Sequence, residues 1–449
     1  MATTQLTRTQ TAGTSTKKFT VSMWIKRGDD LGGYPTLFSC GTGSSDGFNL
    51  AFNNNDYLIL ESWDGSANPK LETNRRFRDV GAWYHIVAVF DTDAAAADRM
   101  RFYVNGVEET SFFADVNPTS SYVIPGWSGS GDVMRIGYTT LAGSWTYFDG
   151  VMAHVHVCDG QAYAASDFGS TDGTSGIWVP NNAPSVTYGT NGGFYKFASG
   201  ALGTDNSGES NTLAVTGTMT TTLDNAMNNF ATMNPLDNFI QNATFTQGNN
   251  TIKTDFQAPS VSTIALSSGK WYCEGKALVT SSGSGTDWMT GITSTQATAT
   301  TNELGHFAND YGYKGTNGSV RTGNSDSAYG NTWGTGDILG IALDLTNNKL
   351  YFSINGVWQN SGVPTSGATG TGAISITAVA STSLGAYFIA AGCEEAGNDY
   401  TWNMNFGNGY FGTTAISSGN EDDAGYGDFE YDVPAGYYTL CTNNLGDQS

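Results

Sequence analysis

Two Asn-Gly pairs, Asn105-Gly106 and Asn355-Gly356, each lie between two short runs of β-forming residues. A two-residue turn of type I′ requires positive φ at both central positions, and Asn followed by Gly adopts it most readily. Each pair therefore predicts a tight antiparallel hairpin. Similar hairpins so far apart in one chain indicate two β-domains of similar construction rather than a short repeat.

Further strands are predicted from alternating or continuous apolar residues bounded by turn residues. The predicted strands span residues 18–26, 48–52, 82–91, 133–138, 151–158, 193–197, 338–345 and 349–354. In the first of them, Phe19, Val21, Met23 and Ile25 share one face, which we expect to enter a core. Other large aromatic residues are assigned to cores or strand faces: Trp24, Trp83, Trp271, Phe352 and Trp402.

The composition agrees with many short strands joined by turns. The 449 residues include 58 Gly, and only 13% of the residues are charged. Gly supplies positive φ in turns, whereas helical bundles need more Glu, Lys, Leu and Arg. At roughly 150 residues per domain, this length predicts two or three domains. The predicted fold class is all-β, with two tandem antiparallel β-sandwich (jelly-roll) domains.

The predicted domain boundaries follow the density of strand signals. Residues 1–180 form the first sandwich, and residues 243–449 form the second, which ends in an acidic segment. Residues 181–242 carry a weaker pattern rich in Gly, Asn, Ser and Thr, and are predicted as a linking segment. Because this segment contains Phe230 and Met233, we expect it to pack on the modules rather than to form a mobile tether.

The charge and cysteine content exclude several classes of protein. A net charge of -22 repels nucleic acid and anionic lipid, so neither nucleic-acid binding nor membrane insertion is expected. The sequence has no run of about 18 apolar residues, and because polar residues follow Met1 directly, we expect no signal peptide. The five cysteines lie far apart, which argues against a disulfide framework and against zinc. These features favour folding in a reducing cytoplasm.

Several motifs resemble known families. Residues 19–27, 83–87, 101–107 and 148–153 resemble the concanavalin A-like (laminin-G-like) jelly roll, chiefly through Trp83-Tyr84-His85 and Tyr103-Val104-Asn105-Gly106. Residues 269–274 and 336–356 resemble a SPRY domain. The chain also resembles virion structural proteins of tailed bacteriophages, in which a laminin-G-like module is followed by a SPRY-like module. This resemblance lies at residues 6–9, 159–162, 167–169, 176–180, 228–235 and 434–445.

The last resemblance implies a virion-surface structural protein, namely a fibre, knob or adhesin that folds in the host cytoplasm before assembly. Its expected partners are other virion proteins or a host-surface glycan, and a homo-oligomer is expected. We expect no enzymatic activity and no cofactor. The sequence has neither coiled-coil heptads nor β-helical repeats, which a trimeric fibre stalk would need. This favours a knob, an accessory fibre subunit or a head decoration protein that binds the capsid. A polysaccharide depolymerase and a cellular SPRY adaptor that docks a peptide remain alternatives.

Candidate ligand-binding residues are aromatic and polar side chains in loops, because sugar faces stack on aromatic rings beside hydrogen-bonding groups. The candidates are Trp63, Asp64, Trp127, Trp145, Tyr147, Tyr311, Tyr313 and Arg321. For each of them, packing within its own loop is the alternative.

Catalytic and metal sites leave weaker signals. The G-x-S-x-G string at residues 43–47 is interpreted as a turn, because a strand rather than a helix follows it. Glu430 and Asp432 share a strand face, but they lie in an acidic, turn-rich tail. This tail, residues 421–432, is predicted as a solvated loop, and a Ca²⁺ site in it is left unassigned.

Overall fold

The computed structural model describes residues 4–65, 68–237, 240, 243–254, 257–279, 288–394 and 400–448. The chain forms two compact units, Met1–Thr221 (unit 1) and Thr222–Ser449 (unit 2). The boundary between them falls inside the predicted linking segment, residues 181–242. Phe230 and Met233 are buried in unit 2. No helix in the described residues is long and apolar enough to cross a membrane.

Unit 1 is built from short strands and two 3-10 turns, Ala96–Asp98 and Ala165–Asp167. Its strands are β1 Gln5–Thr9, β2 Lys18–Arg27, β3 Pro35–Gly41, β4 Gly47–Phe52, β5 Tyr57–Trp63, β6 Lys70–Arg76, β7 Tyr84–Asp91, β8 Met100–Val104, β9 Val107–Glu108, β10 Phe112–Val116, β11 Val133–Ile136, β12 Thr146–Tyr147, β13 Gly150–Asp159, β14 Gly169–Thr171, β15 Trp178–Pro180, β16 Gly193–Tyr195 and β17 Ala214–Thr216.

Two sheets of unit 1, antiparallel except for the β3–β12 pair, face each other across its core. Sheet A has the strand order β10-β6-β5-β4-β3-β11-β1-β17, with β12 beside β3, and sheet B has the order β16-β13-β2-β7-β8-β9. Phe19 on β2 stacks on Phe48 on β4 with ring centroids 4.6 Å apart. Val21, Met23 and Ile25 enter the same core, as their alternation predicted.

A smaller aromatic cluster covers the outer face of sheet B. Phe168, Tyr188 and Phe194, which come from the chain after β13, pack there against Val87 and Val89 of β7. Buried histidines lie on the same face. His154 and His156 lie within the predicted strand at residues 151–158, for which a regular alternation of side chains is expected. Instead, β13 shifts register between residues 153 and 156, and His154 adopts a φ of 47°.

His85 is held neutral within this outer layer. Its ring stacks on Trp24 at 4.8 Å, and the Trp178 indole N–H donates to Nδ1 at 2.9 Å. Nε2 therefore carries the proton and donates to Ser22 Oγ at 2.9 Å. Burial lowers the pKa of His85 to about 3, from an ordinary value of 6.5.

Replacing His85 with Gln is expected to lower the free energy of unfolding of unit 1 by an amount that depends on pH. Because the folded pKa lies below the unfolded one, neutral His85 stabilises unit 1 above about pH 6.5, and this contribution falls as the pH drops toward 3. The cost of His85→Gln should therefore be about 2 kcal/mol smaller at pH 5 than at pH 7. Hydrogen exchange of the β2 and β7 amides, in wild type and variant at each pH, measures this difference in the free energy of unfolding. His306→Gln in unit 2 is the control, and a cost independent of pH would contradict the account.

Unit 2 repeats the strand-rich construction and adds the 3-10 segments Pro235–Asp237, Gln359–Ser361, Pro364–Thr369 and Val379–Ser381 and the helix α1 Thr442–Asp447. Its strands are β18 Thr244–Thr246, β19 Thr251–Thr254, β20 Ser260–Val261, β21 Lys270–Val279, β22 Trp288–Thr293, β23 Tyr311–Lys314, β24 Ser319–Thr322, β25 Ser325–Ala328, β26 Ile338–Asp344, β27 Lys349–Ile354, β28 Val357–Trp358, β29 Ile374–Ser375, β30 Phe388–Cys393, β31 Tyr400–Asn405, β32 Tyr410–Phe411, β33 Thr414–Ala415 and β34 Tyr438–Thr439.

The core of unit 2 lies between two further sheets, which are antiparallel except for the β21–β34 pair. Sheet C has the order β18-β19-β31-β21-β26-β27-β28, with β29 beside β27 and β34 beside β21, and sheet D has the order β20-β30-β22-β23-β24-β25. Tyr313 of sheet D stacks on Phe352 of sheet C at 5.1 Å, and Trp402 of sheet C packs against Trp333 at 5.7 Å. The predicted all-β class with two tandem β-sandwiches is confirmed.

Both predicted hairpins are confirmed. Asn105 and Gly106 have φ of 49° and 84°, and Asn355 and Gly356 have φ of 48° and 79°, as a type I′ turn requires. The aromatic residues assigned to cores or strand faces are also buried, with at most 8% exposure: Trp24, Trp83, Trp271, Phe352 and Trp402.

Candidate functional site

A groove of about 350 Å³ lies on the outer face of sheet C, beneath residues 416–440, which we call the C-terminal segment. Its floor comes from the sheet: Tyr272, Ser353, Gly356 and Trp358. Its wall comes from the C-terminal segment: Ser418, Asn420, Glu430, Tyr431 and Asp432. Residues from two distant parts of unit 2 therefore share one concave surface.

Strand register explains how the floor forms. Glu274, Gly340, Ser353 and Trp358 lie opposite one another on β21, β26, β27 and β28, so they share the outer face of sheet C. A Cβ at Gly340 would lie 2.4 Å from Ser353 Oγ and 2.9 Å from the Tyr272 hydroxyl oxygen. Gly340 is therefore required for these polar side chains to lie side by side.

Glu274 fixes the wall of the groove to the sheet. Its carboxylate accepts the backbone N–H groups of Glu430 and Tyr431 at 2.9 Å each and the Tyr272 hydroxyl at 3.0 Å. The side chain is fully buried, and burial raises its pKa to about 7 although these three hydrogen bonds favour the ionised form. Glu274 thus holds the C-terminal segment in place and does not itself line the groove.

The groove combines aromatic and polar groups. The Trp358 and Tyr431 rings are half-buried, whereas Asp432 is exposed. Glu430 accepts the backbone N–H of Ser417 at 2.7 Å and the Ser417 hydroxyl. Ser353 is 1% exposed, and its hydroxyl is the one groove-lining side-chain group within the described residues that is both buried and without a hydrogen-bond partner. A ligand in the groove would meet ring faces, carboxylates and this hydroxyl.

The C-terminal segment is more ordered than sequence analysis predicted. Asp422 is 6% exposed, and its carboxylate accepts from the backbone N–H of Thr439 at 2.7 Å, the backbone N–H of Tyr426 at 2.9 Å and the Asn444 side-chain amide at 2.8 Å. The prediction of a solvated loop is therefore wrong at Asp422, because these donors replace water. Among the described residues, no group of three or more His, Cys, Asp or Glu side chains is placed to hold a metal ion.

Three of the predicted candidates in unit 1, Trp63, Asp64 and Trp127, differ in their exposure to solvent. Trp63 ends β5 and is 45% exposed, and Asp64 follows it on the surface. Trp127 is 1% exposed, packs on Phe19 at 4.9 Å, and donates its indole N–H to the Lys18 carbonyl at 3.2 Å. Trp127 lies in a loop, as predicted, but its candidacy as a ligand-binding residue is wrong, because the ring fills the core between sheets A and B.

Trp145 and Tyr147 belong to one aromatic surface of unit 1. Tyr147 stacks on Tyr138 with ring centroids 4.0 Å apart, and Trp145 meets Tyr34 edge-on at 5.7 Å. Strand β12 pairs with β3 beside these residues, and all four rings are half-buried. The structure thus brings two predicted candidates together with two aromatic residues that sequence analysis did not select.

The three candidates in unit 2 lie on sheet D. Tyr313 is fully buried and donates its hydroxyl to the Asn331 carbonyl at 2.6 Å, and Tyr311 is 5% exposed. Both tyrosines fill the core, so their assignment to a binding face is wrong. Arg321 pairs with Glu303 at 2.9 Å and with Asp326 at 2.8 Å, which occupies its guanidinium within the module.

Sequence analysis did not select Trp358 and Tyr431, two aromatic residues that line the groove beside its carboxylates. The available signals were the position of Trp358 just after the Asn355-Gly356 hairpin and the shared face of Glu430 and Asp432. Neither signal indicates that the two segments meet.

Comparisons with known proteins agree with the two β-sandwiches. Residues 2–168 match the model of the concanavalin A-like lectin/glucanases superfamily, and residues 270–390 match the SPRY domain model. No curated protein matches the sequence.

Solved structures with similarity to the chain include a heptameric SAP-like pentraxin from Limulus polyphemus, with 18% identity, 40% of this chain and 86% of that chain covered, and a TM-score of 0.28. The SPRY domain of human HERC1 is 9% identical, with coverage of 38% and 96% and a TM-score of 0.28. Domain 4 of a GH43 arabinanase from Geobacillus stearothermophilus, solved with arabinotriose, is 19% identical, with coverage of 33% and 64% and a TM-score of 0.23.

The sequence matches, the strand order of the sheets and the paired cores therefore lead to one assignment: the chain carries a concanavalin A-like module followed by a SPRY domain.

Proposed function

We propose that this chain is a non-catalytic adhesin or structural protein on the surface of a tailed-bacteriophage virion, and that it binds a host-surface glycan in the groove of unit 2. The observation that carries the binding proposal is the groove itself. It places Trp358 and Tyr431 beside the carboxylates of Glu430 and Asp432 in a space of about 350 Å³. This volume lies at the lower end of the range of about 300–1,000 Å³ typical of small-ligand sites.

The chemistry of the groove suits a sugar ring. Aromatic faces cover the apolar C–H face of a sugar at low entropy cost, and carboxylate, amide and hydroxyl groups bond its hydroxyls. Trp358 supplies a ring, and Asn420 and Asp432 supply polar groups. One shallow site of this kind binds weakly, but many copies on one virion would bind by avidity.

The geometry favours binding over glycoside hydrolysis. A glycosidase requires two carboxyl groups that flank the scissile bond, one of them with a raised pKa. Glu274 has the raised pKa, but both of its oxygens are bonded within the fold and it does not line the groove. Release of reducing sugar from host surface polysaccharide would support the depolymerase alternative instead.

Substitution of the groove aromatics tests the binding proposal. Trp358→Ala and Tyr431→Ala should each weaken binding to a glycan selected on a bacterial polysaccharide array by about tenfold, because each removes about 1.4 kcal/mol of stacking. Phe113→Ala, at an exposed aromatic residue of unit 1 that is not a binding candidate, is the control and should change affinity less than twofold. Equal affinity of all three variants and the wild type would contradict the groove as the site.

The virion proposal rests on the resemblance to phage structural proteins at residues 159–162, 167–169, 176–180 and 228–235, together with the order of the two modules. Immunogold electron microscopy of purified virions tests it. Label on tail tips or fibres supports an adhesin, and label over the head supports the head decoration alternative. Absence of the protein from purified virions would contradict both roles and favour the cellular adaptor.

A further inference from the structure

We infer that the groove of unit 2 selects a sugar that carries a protonated amine. This inference rests on the proposed function, since it names the ligand class of the same groove. The inference requires three things: negative charge at the groove, a polar group in the groove that has no partner, and a reason why a cationic sugar binds better than a neutral one.

The charged side chains that line the groove have one sign. Glu430 and Asp432 line it, and none of the described residues that line it is Lys or Arg. Asp337 lies close by, bonded through Oδ1 to the Asn355 side-chain amide at 2.7 Å. Burial and then the nearby carboxylates of Glu430, Glu274 and Asp337 raise the pKa of Tyr431. A positive group entering the groove would therefore be attracted, and an acidic sugar would be repelled.

The Ser353 hydroxyl is an independent sign of a missing ligand. It lines the groove from the floor, its residue is 1% exposed, and it lacks a hydrogen-bond partner within the described residues. Buried polar groups are almost always hydrogen-bonded, because an unpaired one loses its bond to water without compensation. A ligand that donates to Ser353 while contacting Asp432 would remove this penalty.

A protonated amino sugar uses these groups more fully than a neutral sugar does. Its ammonium can form charge-assisted hydrogen bonds to Glu430 or Asp432, which are about twice as strong as neutral ones. The faces of Trp358 and Tyr431 also attract a cation. The ring of the sugar supplies the flat face that the aromatic side chains cover, whereas a lysine side chain offers only the ammonium.

Two oligosaccharides of equal length test the inference. Chitosan tetrasaccharide carries free amines, and its fully N-acetylated counterpart is neutral, so they differ in charge on the same backbone. Titration followed by calorimetry, at low salt and a pH at which the amines are protonated, should give about tenfold tighter binding of the amine form. Asp432→Asn should reduce this preference to about threefold or less, and Glu430→Gln should have a similar effect.

Glu209→Gln is the matched control, because it removes one exposed carboxylate from unit 1 and changes the net charge equally. A preference that survives Asp432→Asn and Glu430→Gln would overturn the inference, since it would reflect general attraction to the acidic chain. Circular dichroism checks that each variant is folded.

Three further outcomes separate the inference from the proposed function. Equal binding of the two tetrasaccharides overturns the inference and leaves glycan binding in place. Binding of array glycans but of neither tetrasaccharide also overturns it. Nα-acetyl-lysine amide is added as a competitor. If it binds the groove as tightly as the amine tetrasaccharide does, the ligand is a basic peptide and the sugar assignment is overturned.

Discussion

Replacing Glu274 with Ala is expected to lower the free energy of unfolding of unit 2 by about 3–5 kcal/mol. The substitution leaves three donors without an acceptor: the backbone N–H groups of Glu430 and Tyr431 and the hydroxyl of Tyr272. It also opens a cavity beneath the C-terminal segment, because the Glu274 side chain is fully buried. We expect that segment to detach first and to expose the outer face of sheet C.

The pH dependence of this loss has a defined sign. Burial raises the pKa of Glu274 from 4.5 to about 7, so its protonated form is favoured by the fold. Its contribution to stability is full below about pH 4.5 and decreases as the pH rises through 7. Glu274→Ala should therefore lower the free energy of unfolding of unit 2 more at pH 5 than at pH 8.

Hydrogen exchange and urea unfolding of the whole chain measure both effects. Glu421→Ala, at an exposed acid of the same segment, is the control and should change stability by about 0.5 kcal/mol or less. Unchanged protection of residues 426–440 in Glu274→Ala would show that the carboxylate does not hold the segment.

Replacing Arg27 with Met is expected to lower the stability of unit 1 by about 3–5 kcal/mol. The guanidinium is fully buried, lies 3.0 Å from Asp30 and 3.2 Å from Asp56, and donates to the Phe77 carbonyl at 2.7 Å. It also lies over the Phe52 ring at 4.3 Å. Removing it leaves the buried Asp30 carboxylate without its positive partner, whereas Asp56 keeps Arg78 at 2.7 Å. A buried carboxylate left without its partner costs more stability than the attraction itself supplies.

Arg75→Met is the matched control, because Arg75 pairs with Glu109 but its side chain is 49% exposed. Exposed pairs contribute about 1 kcal/mol or less. Calorimetry of the full chain should show the transition of unit 1 shifted down in Arg27→Met and nearly unchanged in Arg75→Met. Equal shifts in the two variants would contradict a structural role of the buried network.

Local signals were sufficient to predict most of the fold. Asn105-Gly106 and Asn355-Gly356 specify their turns through backbone φ alone, so the hairpins follow from two residues each. The alternation of Phe19, Val21 and Met23 similarly identifies the inward face of β2. Such features depend on neighbours in sequence, which makes them readable without a structure.

The candidate site depends on contacts that sequence patterns do not record. Trp358 and Tyr431 line the same groove, and Glu274 on another strand holds Tyr431 there by accepting the N–H groups at residues 430 and 431. Trp127 and Tyr313 lie in Gly-rich stretches with little alternation, so their burial could not be distinguished from exposure. Tertiary packing decided the position of each of these aromatic side chains.

Hydroxyl-radical footprinting with and without a bound host-surface polysaccharide tests most directly whether the groove of unit 2 is the binding site. Mass spectrometry reports oxidation at each exposed aromatic residue of the intact chain. The account predicts that the polysaccharide protects Trp358 and Tyr431, while oxidation of Phe113 on unit 1 is unchanged. Protection confined to Trp145 and Tyr147, with no change at Trp358 and Tyr431, would contradict it and place the ligand on the aromatic surface of unit 1.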